Sequence, residues 1–173
     1  MIKKIALIAA ALALVMLCGT VAAYMIKTTV PRENILTPAS VDCEVAEAFD
    51  GSNKTSIRVT NTGTVDAYLR VRLVTYWVDE SGNIQPKASA KLTVSLADNW
   101  FEKEENTYYY RFPVTPGALT GEMLGAAITL QEKDGYFQVV EVFAEAIQSE
   151  PARAVETSWG VTVDGDGKLT LSD

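Results

Sequence analysis

The chain has 173 residues, with 22 acidic against 15 basic side chains and a net charge of −7. That length suffices for one domain with a proper core, and an acidic chain with scattered Lys and Arg carries no basic footprint for nucleic acid. It contains no histidine. A Ser-His-Asp or Cys-His site and an HExxH zinc site are therefore excluded.

Residues 1–23 have the three parts of an export signal. Lys3 and Lys4 form the positive n-region, Ile5 to Leu17 is an apolar helix-length run, and Val21 and Ala23 place small residues before a cut at Ala23/Tyr24. The competing reading is an uncleaved anchor, because the apolar run extends through Cys18 to Ile26, about 20 residues. Either reading leaves Lys3 and Lys4 inside and exports the remainder, to the cell surface or beyond it. A lipoprotein signal at Cys18 is disfavoured by Leu17, where a small residue is wanted. The Gly-Phe and the Glu of a type IV pilin signal are also missing.

Cleavage would remove two Lys and no acid, leaving 13 basic against 22 acidic residues, or −9. One cysteine would remain, Cys43, so burial rather than an internal disulfide must hold the fold. Cys43 shares an apolar row with Val41 and Val45, which reads as a small buried hydrophobe.

Residues 24–40 form an extended arm. Ile26, Thr28 and Val30 alternate with Lys27 and Thr29 before Pro31 stops the pattern. This composition suits a strand donated to a neighbour's sheet edge, and equally an arm that packs on its own domain or stays disordered.

A single β domain is expected over residues 41–173. Val41 to Phe49 alternates as a strand, and Asp50 to Asn53 turns it. Ile57 and Val59 continue the pattern, and Ala67, Leu69, Val71, Leu73, Thr75 and Trp77 then line one face of a long strand. Tyr68, Arg70, Arg72, Val74, Tyr76 and Val78 line the other. Between these two strands, Asn61-Thr62-Gly63 serves a hairpin and an arch between sheets equally well.

Leu92, Val94 and Leu96 alternate weakly, and Thr107 to Val114 is aromatic and β-prone. Ala126 to Gln131 and Tyr136 to Gln148 read as strands flanking Lys133-Asp134-Gly135. In the second, Val140, Val142, Ala144 and Ala146 form one row. Pro151 to Ser158 is the one expected C-terminal helix, followed by a hairpin around Asp164-Gly165-Asp166-Gly167. About nine short strands at roughly ten-residue spacing imply an all-β antiparallel sandwich, jelly-roll-like or Ig-like.

Several short runs resemble the camelysin/TasA-type exported proteins of Gram-positive bacteria. They are GTVAAYM at Gly19 to Met25, Asn34-Ile35-Leu36-Thr37 before Val41-Asp42-Cys43-Glu44-Val45, and Asn61-Thr62-Gly63 before Ala67-Tyr68-Leu69-Arg70-Val71. Further on, the resemblance runs through Tyr108-Tyr109-Tyr110, Pro116-Gly117, Ala144-Glu145-Ala146-Ile147-Gln148 and Trp159-Gly160. It implies export through a dedicated signal peptidase, a jelly-roll sandwich and a structural role in the cell surface or biofilm matrix, often as fibres. Camelysin itself is described as a metalloprotease. A histidine-free chain offers no familiar zinc site, so that activity is not carried over.

No catalytic, cofactor or metal residue is assigned. Asp164-Gly165-Asp166-Gly167-Lys168 lacks the closing Glu of a calcium loop and reads as a tight turn. The aromatics Trp77, Trp100, Tyr108, Tyr109, Tyr110 and Trp159 are mostly core candidates, with Tyr109 and Trp100 as a candidate ligand face for glycan. Arg70 and Arg72 opposite Glu141 and Glu145 suggest a cross-strand charge ladder. The expected function is a non-enzymatic structural or assembly protein whose partner is itself or another surface protein. A monomeric surface-binding module is the alternative.

Overall fold

The structure is a computed structural model that describes residues 38–85 and 91–172. The expected signal with its Ala23/Tyr24 cut, and the arm residues Ile26, Thr28 and Val30, lie outside the described residues. Among those described, ten strands and one helix follow in the order β1 (Cys43–Phe49), β2 (Asn53–Asn61), β3 (Ala67–Val78), β4 (Trp100–Glu104), β5 (Thr107–Tyr110), β6 (Ile128–Thr129), β7 (Glu132–Lys133), β8 (Tyr136–Gln148), α1 (Arg153–Trp159), β9 (Val161–Val163) and β10 (Leu169–Leu171). All strand pairs are antiparallel.

β1, β2 and β6 form one sheet, β4-β5-β3-β8-β7 a second, and β9-β10 a separate hairpin. The β1–β2 turn is built by Asp50, whose Oδ1 accepts the N–H groups of Ser52 and Asn53 at 2.9 and 2.7 Å. Across Asn61–Asp66 the chain leaves the first sheet for the second, so this connection is an arch. Asn61 fixes it from inside: its fully buried side chain donates to the carbonyls of Val65 and Val114 and accepts Gly63 N–H at 2.9 Å. A Cβ at Gly63 would lie 2.5 Å from the Ser40 carbonyl oxygen, so only glycine fits there.

The alternation of β3 decides its two faces. Ala67, Leu69, Val71 and Leu73 are buried on the inner face in one cluster with Ile57 and Val59 of the opposite sheet, and Trp77 is buried further along the same row. Each such side chain contributes about 1.5–3 kcal/mol by leaving water. On the outer face, Tyr68, Phe101 and Tyr109 form a second cluster with Val155, Trp159, Val161 and Leu169, supplied by α1 and the β9–β10 hairpin. A seven-residue helix is too short to stand on propensity alone. Buried Val155 and Trp159 hold it to the sheet, and Gly160 ends it at φ 61, donating to the Glu156 carbonyl.

Three expectations change. Lys91 to Leu96 is not a strand: it makes one bridge, Leu96 with Leu124, while Leu92 and Val94 pack half-buried on the inner cluster. The aromatic strand stops at Tyr110: Arg111 N–H still reaches the Asn99 carbonyl, but Pro113 has no N–H to give to a ladder. Within Ala126 to Gln131 only Ile128–Thr129 is a strand, and it joins the first sheet, while the strand paired with β8 across Lys133-Asp134-Gly135 is β7, beginning at Glu132.

Candidate functional site

The two long sides of the sandwich are finished differently. Beyond β2 runs the segment from Val114 to Leu124. Its backbone takes Asn61 N–H at Ala118 O and gives the N–H groups of Thr120 and Met123 to Val59 and Ile57. Where it has no carbonyl in reach, side chains substitute. Thr120 Oγ1 accepts Val59 N–H at 3.0 Å, and Glu122 Oε1 accepts Ile57 N–H at 2.7 Å.

Glu122 also accepts from the Ser56 hydroxyl and Arg58 Nε. Burial alone would raise its carboxyl, but these donors outweigh it and hold the group below its ordinary value. Neither Thr120 nor Glu122 stands out in the sequence, because a side chain that replaces a carbonyl follows no period.

The other side is left open. β8 pairs with β3 along Val78–Ala67, but on its far edge β7 covers only Tyr136 and Phe137. From Val139 to Gln148 that edge meets no strand among the described residues. β1, the edge of the first sheet, likewise has β2 as its one partner there. Phe49 shares a cleft with Phe137 and Val139, while Cys43 lies close enough to Glu145 to feel its charge. The two edges therefore run in opposite directions beside each other. Between them Cys43, Val142, Ala144 and Ala146 pack half-buried on the inner cluster. Burial first, then Asp42 and Glu145, pushes the Cys43 thiol above its ordinary value, so it behaves as a hydrophobe.

The cleft of about 260 Å³ closes one end of this open side. Phe49 and Phe137, 50% and 40% exposed, flank it, with Leu130, Glu132 and Val140 in its walls. Lys54 lies in it almost wholly buried, its Nζ 2.7 Å from Glu47 Oε2 and 5.5 Å above the Phe49 ring. Gln138 is buried too, but its amide is spent on Gln131, Thr75 and Lys91. A hollow of about 330 Å³ near Ala39, Asp66 and Gln148 marks the other end.

Tyr109 and Trp100 do not make a ligand face. Trp100 pairs with Tyr110, and Phe101 with Tyr109, so alternation sends Trp100 and Tyr109 to opposite sides of the sheet. Trp100 belongs to the inner cluster and gives its indole N–H to Gly121 O. Tyr109 is fully buried under α1, stacked on Phe101 at 5.4 Å and edge-on to Trp159 at 5.6 Å. Burying a large ring outweighs displaying it.

The charge ladder forms in half. Arg70 Nη2 meets Glu145 at 2.7 Å, and its guanidinium lies 4.8 Å from the Trp159 ring centroid. Arg72 faces Phe143 instead, and Glu141 accepts the Tyr76 hydroxyl. Asp164 spends its Oδ1 on the N–H groups of Asp166 and Lys168, as a turn residue does. Among the described residues no cluster of acids and thiols could hold a metal ion, and no helix is long and apolar enough to cross a membrane.

Comparison with known protein families, with curated proteins and with solved structures finds no match to this chain.

Proposed function

We propose that this protein is an exported, non-enzymatic structural protein of the cell surface or biofilm matrix. It assembles by donating residues 24–30 as a strand to the open side of a second copy. The observation that carries this reading is the β8 edge from Val139 to Gln148, which meets no strand among the described residues while Val142, Ala144 and Ala146 of its inner row stay half-buried. An unpaired edge presents N–H and C=O groups that a neighbour's extended segment satisfies. The arm residues Ile26, Thr28 and Val30 have the alternation required, and a cut before Tyr24 would free them only outside the cell. A jelly-roll path belongs to the same reading, supported by the crossings between sheets at Asn61–Asp66 and after Thr129.

A monomeric binding module for glycan or another surface ligand is the second reading, favoured by the cleft between Phe49 and Phe137. Light scattering of the exported protein with and without residues 24–30 separates the two. Oligomers or fibres lost in a truncated protein that still folds support assembly. A wild-type monomer over a wide range of concentration and pH removes it and leaves the binding module.

A further inference from the structure

We propose that the β8 edge takes the arm of a second copy antiparallel to β8, with Ile26, Thr28 and Val30 as the residues bonded to it. This inference rests on the assembly reading above and adds whose arm the edge selects and in which direction it lies.

The direction follows from the backbone groups that the edge presents. Ser149 N–H is bonded to the Asp66 carbonyl, so in this register the odd-numbered residues of β8 face β3. Gln138 N–H, of even number, turns the other way to Gln131. The groups that look outward along the open stretch are therefore those of Val140, Val142, Ala144 and Ala146, and they meet no partner among the described residues. A strand laid here with Ile26, Thr28 and Val30 on its inner face sets them opposite that row. In an antiparallel pair opposite residues bond each other, so these three serve, and Pro31 falls where its missing N–H points away from β8. In a parallel pair their neighbours must bond instead. Pro31 then belongs to the bonding set and has no N–H to give.

The direction in turn selects the copy. Ala39 lines a hollow with Gln148, and Ser40 is bonded to Thr64, so the chain enters its own domain at the Gln148 end of the edge. Followed backwards from there, its own arm lies along β8 in the parallel sense. To lie antiparallel it would first have to run back over about 20 Å of the same edge. The arm of a second copy carries no such tether. A second copy's β8 edge is a poorer occupant, since it would gather Glu141 and Glu145 of both copies. The arm instead brings Lys27 on its outer row. Glu145 already pairs with Arg70, but the partner of Glu141 among the described residues is the neutral Tyr76 hydroxyl, which leaves its charge for such a lysine.

The test is a proline scan of the arm in the purified protein, read by light scattering as the concentration at half-assembly. Thr28→Pro removes an N–H that faces β8 and should raise that concentration about tenfold, whereas Thr29→Pro removes one that faces away and should shift it less than about threefold. Both positions precede the β domain, so circular dichroism of the dilute variants should match wild type. Whose arm is bound is read by mixing ¹⁴N- and ¹⁵N-labelled copies, cross-linking lysine to carboxylate with a carbodiimide after assembly, and mapping by mass spectrometry. The expected product joins Lys27 of one copy to Glu141 or Glu145 of another. Proline effects in the reverse order would mean a parallel arm, and equal effects an arm that does not pair. Links confined to one copy, or none from Lys27 to β8, would mean that another copy's arm does not fill the edge. Each of these overturns the proposal while oligomers persist. Absence of oligomers would instead remove the assembly reading, and this inference with it.

Discussion

The β2 side of the sandwich and the β8 side border the same core and are finished in opposite ways. On the β2 side, Thr120 and Glu122 replace missing carbonyls, so the N–H groups of Val59 and Ile57 both find acceptors. On the β8 side no such substitute lies along Val139–Gln148 among the described residues, and Val142, Ala144 and Ala146 are left half-buried. A buried N–H without a partner costs about 1–3 kcal/mol, so an edge under permanent cover must be satisfied within the chain. An edge that carries its apolar row half-buried and its backbone unpaired suits a partner that arrives later.

The sharpest contrast sets Leu73 against Val142, which are directly paired in register. Leu73 is 2% exposed, so Leu73→Ala should cost about 2–5 kcal/mol in denaturant melts. Val142 is half-buried on the open side, and Val142→Ala should cost about 1 kcal/mol in dilute protein. Equal costs would mean that Val142 is as fully covered as Leu73 and that the β8 side is closed.

Next in size is Glu122→Gln, expected to cost about 1–2 kcal/mol because the amide keeps one acceptor and loses the charge. The sign of its pH dependence follows from its depressed folded-state value. The contribution is whole above the ordinary carboxylate value of 4.5 and is lost as pH falls through the folded value. Melts should therefore show the gap between wild type and variant closing as the solution is acidified. A gap that widens in acid would break the account of the sealed side.

Arg70→Met should cost about 1 kcal/mol, since Arg70 is mostly buried and stacks on Trp159 besides pairing with Glu145. Arg72→Ala, exposed opposite Phe143, should change stability by less than about 0.5 kcal/mol. The order of these two melts tests whether the outer face is covered at one end and bare at the other.

The sequence carried the rows of β3 and β8 because a period of two is visible in single residues such as Arg70 and Val140. It also carried the C-terminal helix and the hairpin after it, which Pro151 and the Asp-Gly repeat announce. The arch at Asn61–Asp66 was not decidable, because Asn-Thr-Gly turns a chain equally well within one sheet or between two. What settles it is the tertiary contact of Asn61 with Val114, 53 residues away. The open side was legible only as an arm in search of an edge. That the edge belongs to β8 depends on β7 beginning no earlier than Glu132, which no local pattern in Ala126 to Gln131 reports.

Amide hydrogen exchange on the purified protein, compared between dilute and concentrated samples, tests the open side most directly. The account predicts that amides of Val139 to Gln148 facing away from β3 exchange quickly when dilute and become protected on assembly. Those of β2 and β3 should stay protected in both. Protection of the same β8 amides in dilute monomer, unchanged by concentration, would mean that the chain covers its own edge, and would contradict assembly through it.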